Sequence, residues 1–207
     1  MNCFGKERRK EIVSKYNIEP IAYLKLLNDE LESCTGKKIT EAYYTFYYQH
    51  KVNNNDKGTF ISGKTSGKHF LELINHTGLS LFNPLQEIAT TNGPESAGTS
   101  SGETSKVKWD PMALELFNAI NILIFYWGNR PLTNFLAEFL IDIRKYPYAQ
   151  PYDKRIKAVN TVISRQNHNT IQGMLSELRN TNPSIKEFSF DTLHKYLLSK
   201  DLDSYFK

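Results

Sequence analysis

The sequence predicts a mainly α-helical fold, a helical bundle around a central apolar helical hairpin, with one small β-hairpin in the N-terminal half. Three observations predict it. From Trp109 to Arg144 one apolar, nearly charge-free segment stops at Gly128 and a second begins at Pro131. Beyond it, apolar residues recur at helical spacing to the C-terminus. The β-hairpin is carried by AYYTFYYQHKV, residues 42–52, whose residues are almost all aromatic or β-favouring, with a helix capped by Thr40 as the alternative reading. Turn-rich NNNDKG and then Thr59-Phe60-Ile61 follow it.

Taken in order, Lys6 to Tyr16 reads as a short charged helix. Glu19-Pro20 opens a second, with Ile21, Leu24, Leu27 and Leu31 on one face and Gly36 as its stop. After the β-hairpin, Ser66 is placed to cap a helix from Gly67 to His76, ended by Gly78, with Phe70, Leu73 and Ile74 inward. Asn83-Pro84 starts a short helical turn. In the central hairpin, Asp110 is the expected cap because its carboxylate can accept from the free N–H groups of the first turn. Pro111 suits that turn because its missing N–H would be unpaired there. Pro147 and Pro151 then force an extended or turned PYAQPY segment. Three further helices are expected near Asp153 to Arg165, Thr170 to Arg179 and Phe190 to Ser199. Ile156, Val159, Val162 and Ile163 give the first its buried stripe.

The run TTNGPESAGTSSGETSK, residues 90–106, has no hydrophobic periodicity and reads as a linker or long loop. The expected organisation is an N-terminal α+β part over residues 1–90, a flexible linker over 91–107 and a C-terminal helical bundle over 108–207.

With 207 residues, 40% of them hydrophobic, the chain can bury a substantial core, which excludes disorder throughout. Its two cysteines, Cys3 and Cys34, are too few for a disulfide framework. The N-terminus carries Lys6, Arg8, Arg9 and Lys10 in place of an apolar signal. A reducing intracellular setting, cytoplasmic or nuclear, is expected, and no membrane span, because the longest apolar run is interrupted by Asn121.

Several motifs touch on chemistry. Residues 58–65, GTFISGKT, satisfy G-x-x-x-x-G-K-[ST], in which backbone N–H groups cradle phosphates and the Lys meets the terminal one. Against a phosphate loop, polar NNNDK precedes Gly58 where a strand should end, and bulky Phe60 and Ile61 fall within. A hairpin turn followed by a helix is expected, with Lys64 and Lys68 as surface charges. His69 and His76 share a helical face without further metal ligands nearby. Glu138 and Asp142, four apart, read as a solvated face or a helix salt bridge. Arg165 and His168 read as a polar helix junction. No catalytic residue, metal or cofactor is assigned.

Charge distribution points furthest. Residues 144–207 hold eleven Lys and Arg against six Asp and Glu. Short basic helices with polar turns suit nucleic-acid contact, and Tyr146, Tyr148 and Tyr152 stand just before them, where bases could stack. The expectation is a non-catalytic binding protein that contacts nucleic acid through Lys154, Arg155, Lys157, Arg165, Arg179 and Lys195. The alternatives are a protein-interaction module, using the Tyr-rich surface or a groove beside the central hairpin, and nucleotide binding through Gly58 to Thr65.

Overall fold

A three-stranded antiparallel sheet separates two packed cores. The computed structural model describes residues 1–27, 30–85, 108–128, 130 and 132–207. The expected linker over 91–107 and the restart at Pro131 lie outside the described residues. In chain order the elements are α1 (Lys6–Lys15), β1 (Tyr16–Lys25), β2 (Leu31–Glu32), β3 (Lys38–Ile39), β4 (Ala42–His50), β5 (Lys57–Gly63) and α2 (Lys64–Leu73). They continue as α3 (Pro111–Tyr126), α4 (Asn134–Lys145), α5 (Asp153–Ser164), α6 (Ile171–Thr181) and α7 (Asp191–Leu198). The main sheet has the order β1-β4-β5, and β2 pairs with β3 in a second, two-stranded sheet. The fold is thus mixed α/β, which corrects the expectation of a helical bundle with one small hairpin.

The expected hairpin forms, β4 pairing with β5 from Tyr43 opposite Gly63 to Gln49 opposite Lys57. The turn is built by side chains. His50 Nδ1 accepts from the N–H groups of Val52 (3.2 Å) and Asn53 (3.1 Å), and Asn53 Oδ1 accepts from Asn55 N–H (3.1 Å).

The larger correction concerns residues 16–25, read from Glu19 onward as helix and folded as β1. Ile21 is an extra residue between Pro20, opposite Phe46, and Ala22, opposite Thr45. Such a bulge reverses which side chains face which way. Ile18 lies on one side of the sheet, whereas Ile21 and Leu24 share the core on the other. Their spacing of three imitates a helical face. Pro20 costs the sheet little there, since β1 is an outer strand and the register is already broken. Leu31, the fourth residue of the supposed face, belongs to β2.

One core lies between the sheet, α1 and α2, and contains Ile12, Ile18, Tyr44, Phe46, Phe60 and Phe70. Helix α2 begins directly at Lys64, so Ser66 sits inside the first turn instead of capping it. Its hydroxyl hydrogen-bonds that of Ser62 at 2.7 Å. Gly67 is required because a Cβ there would strike the Tyr44 ring. Cys3 and Cys34, read as too few for a disulfide framework, are joined in a disulfide with Cα atoms 5.4 Å apart, so the cysteine count does not argue for a reducing compartment. Cys34 N–H donates to Ile61 O (2.7 Å), tying this segment to β5.

The other core joins Ile21, Leu24, Tyr43 and Tyr47 of the sheet to α3–α7. Helix α3 is its centre, with Leu116, Ile120 and Leu123 fully buried. Asp110 caps it as expected, accepting from Ala113 N–H at 3.0 Å, and Pro111 opens it. Gly128 follows at φ 66°. Thr170 likewise caps α6 by accepting from Gly173 N–H (3.1 Å). The start of α7 is capped from a distance: the Glu115 carboxylate of α3 accepts from Thr192 and Leu193 N–H at 3.0 and 2.8 Å. Asn83-Pro84 forms no helical turn, since Phe82 and Leu85 bridge to Leu24 and Ile185. No helix among the described residues is long and apolar enough to cross a membrane.

Leu123→Ala should cost about 2 to 5 kcal/mol, since it leaves a cavity beneath α3. Phe135, 37% exposed, packs edge-on against Phe139, so Phe135→Ala should cost about 1 kcal/mol or less. Denaturant titration of both variants checks the contrast.

Candidate functional site

Two helices begin at one cleft. Strand β5 runs into α2 without a loop, and the capping residue, Gly63, brings no side chain to the free N–H groups of Lys64, Thr65 and Ser66. Helix α1 starts in the same way behind Gly5. Arg9 of α1 holds the pair in place. It is buried, its Nε donates to His69 Nδ1 of α2 (2.9 Å), and its Nη1 donates to Cys3 O (3.0 Å). The third wall is the β2–β3 segment, fastened by the disulfide.

The enclosed volume is about 550 Å³. Lys6, Lys37, Lys38 and Lys64 stand round it with Thr35 and Thr65, and Glu41 is the acid in the lining. Lys64 lies 3.7 Å from Glu41, and Lys38 pairs with Glu30 outside the lining at 2.8 Å. Lys6 and Lys37 are exposed and enter no ion pair among the described residues. Phe4, 63% exposed, stands at the lining. Two partial positive charges from helix N-termini add to this excess of cations. The arrangement can hold an anion through backbone N–H groups, hydroxyls and ammonium groups, beside an aromatic face.

This geometry revises the reading of Gly58 to Thr65. A strand is present, but it spans Gly58 to Gly63 itself, so the residues that would wrap a phosphate lie extended against β4. They form a strand in place of a phosphate loop. Lys64 and Thr65 reach the cleft as the first turn of α2.

The sequence-predicted residues fall elsewhere and divide by use. Arg155 pairs with Asp142 and lies over the Phe139 and Tyr152 rings, and Arg179 donates to the carbonyls of Ile185 (3.2 Å) and Lys186 (2.9 Å). Both serve the fold. Lys154 and Lys157 are exposed on α5 and Arg165 is exposed at its C-cap, where offsets of three and eleven residues place them on one face. Lys195 is exposed on α7. Glu138 and Asp142 have separate partners, Glu138 accepting from Lys57 Nζ (2.9 Å) and the Tyr47 hydroxyl (3.2 Å). His168 bonds Glu177 at 2.7 Å. Among the described residues no three His, Cys, Asp or Glu side chains converge as metal ligands.

Sequence reasoning passed over Lys6, Arg9, Lys37 and Lys38. A signal existed: of the four Gly-Lys dipeptides in the chain, those at 5–6, 36–37 and 63–64 each send their lysine to this cleft.

Residues 1–201 match the family model described as "Uncharacterised conserved protein UCP028583". The chain belongs to this family. The match runs through the sheet, the cleft and the helices α3–α7, so the family's shared sequence takes in both cores. No curated protein and no solved structure matches the chain.

Burial, then the neighbouring Arg9 charge, pulls the His69 imidazole below its ordinary pKa. As an acceptor from Arg9 it must be neutral at Nδ1. The unfolded chain therefore takes up this proton more readily than the folded one. The stabilisation is complete above the ordinary value of 6.5 and is lost as pH falls towards the lower folded value. The melting temperature should drop between about pH 7 and about pH 5. His69→Gln, which keeps an acceptor and cannot titrate, should reduce that drop in a thermal melt series.

Proposed function

We propose that this is a non-catalytic nucleic-acid-binding protein that takes a phosphate of a single-stranded chain into the cleft at the start of α1 and α2. The observation that carries this reading is the convergence of two helix N-termini, both without side-chain caps, with Lys6, Lys37 and Lys64 and the exposed ring of Phe4. Cations and backbone N–H groups satisfy phosphate, and an exposed aromatic face satisfies an unstacked base. A duplex hides that face of its bases, which favours a single strand. The exposed Lys154 and Lys157 on α5 and Arg165 at its C-cap add a surface of the same sign for diffuse attraction.

A second reading, a protein partner, is favoured by Tyr148 and Tyr152, which are 69% and 73% exposed. Such rings suit the centre of an interface.

Fluorescence anisotropy with a 5′-phosphorylated single-stranded oligonucleotide at two salt concentrations tests the proposal. Lys6→Glu with Lys64→Glu should weaken binding at least about tenfold and flatten the plot of log affinity against log salt by about 0.7 for each phosphate no longer neutralised. Phe4→Ala should weaken it by about 1 to 3 kcal/mol, as for one stacked base. Loss of binding only on reversing Lys154, Lys157 and Arg165 would move the site to α5. Failure of the wild type to bind at low salt would leave the protein-partner reading.

A further inference from the structure

A second cavity lies away from the cleft, between β1, the segment 76–82, α3 and α4, with a volume of about 940 Å³. Its walls are mixed, Trp109, Phe117 and Ile141 supplying an apolar side and Arg144 of α4 standing among the polar lining residues. The Arg144 Nε is buried and makes no hydrogen bond to the described residues, and no carboxylate among them pairs with the guanidinium. Other arginines are differently treated. Arg9, Arg155 and Arg179 each donate to an imidazole, a carboxylate or a carbonyl. Arg144 has instead the face of Phe117, 5.0 Å from its central carbon, and the carbonyl end of α4. These offset only part of the cost of a half-buried guanidinium whose Nε is shut off from water and meets no acceptor among the described residues, a cost that an anion would relieve.

The other charged or titratable groups round the cavity are few. Lys145 and His76 line it, and both are exposed. Glu19, the acid of the lining, is exposed as well. Burial also pulls the Arg144 pKa down to about 10, which leaves it charged at neutral pH.

We propose that this cavity binds an organic carboxylate with an apolar or aromatic body, Arg144 supplying the counter-charge and Trp109, Phe117 and Ile141 the apolar wall. The volume falls within the range of small-ligand sites, and a half-buried cation beside an apolar wall favours an amphipathic anion over a bare one. Guanidinium is suited to carboxylate by its planar fork of donors. The site is independent of nucleic-acid binding at the cleft.

Calorimetry and thermal melts of the full chain with benzoate and hexanoate test this, with benzamide and inorganic phosphate as comparisons. Both carboxylates should bind saturably and raise the melting temperature, while benzamide and phosphate bind at least about tenfold more weakly. Bound benzoate should also change the Trp109 fluorescence, a signal absent from Trp109→Phe. Arg144→Met should melt at or above the wild-type temperature and lose the preference for carboxylate over amide. Leu114→Trp, which narrows the cavity, should weaken both carboxylates and keeps the test decisive should the Arg144 variant not fold. The proposal is overturned if neither carboxylate binds by about 10 mM, if phosphate matches benzoate, or if Arg144→Met retains the preference.

Discussion

Strand β4 is covered on both faces, and the rest of the molecule is arranged round that fact. Tyr43 and Tyr47 enter the core shared with α3–α7, while the alternate Tyr44 and Phe46 enter the core under α1 and α2. A central strand whose side chains are aromatic on both sides cannot leave either face in water without losing much of its burial energy. It therefore demands a layer of helix on each side. The flanking strands extend the two surfaces, Phe60 and Ile61 of β5 dividing between the cores as their alternation requires. Glu138 fastens the layers at the edge, joining α4 to Lys57 and Tyr47 of the sheet.

The smaller core sets the geometry of the cleft. Because α1 and α2 lie side by side on one face, their first turns arrive together, and the Arg9–His69 hydrogen bond aligns them. Gly67 lets α2 settle onto Tyr44, which draws its N-terminus towards β5. The disulfide and the Cys34–Ile61 hydrogen bond carry the β2–β3 segment over to complete the third wall. The cleft's positive potential is thus a consequence of packing as much as of composition, for helix ends carry partial charge wherever the fold delivers them.

The two candidate sites differ in solvent and so in the work a cation does. At the cleft the lysines are exposed, strongly hydrated and screened by salt, which suits attraction of a polyanion from a distance. In the second cavity a single guanidinium stands on an aromatic ring with its Nε buried, where each interaction is stronger and each missing partner costs more. Arg155 shows a third use, joining α5 to Asp142 and the ring of Phe139.

Much of the helical half was legible in the sequence alone. Asp110, Pro111 and Gly128 act at helix ends through interactions within a few residues, and local chemistry is what a sequence states most directly. The β4–β5 hairpin was legible in part, since strand propensity and the turn favoured it over a helix capped by Thr40, and the pairing of the two strands decided between them. Strand β1 was not, because the bulge at Ile21 gave Ile21 and Leu24 a helical spacing, and only pairing with β4 reveals which face each residue takes. The cap on α7 came from Glu115, 77 residues away from Thr192, and no local signal announces it. The basic residues were all visible, yet their roles were not. Whether Arg155 meets Asp142, Arg9 meets His69 or Arg144 meets no carboxylate among the described residues depends on partners brought together from distant positions. Tertiary structure decided the cleft for the same physical reason. Three Gly-Lys pairs spread over nearly sixty residues line one cleft only when α1, α2 and the β2–β3 segment close on a single volume.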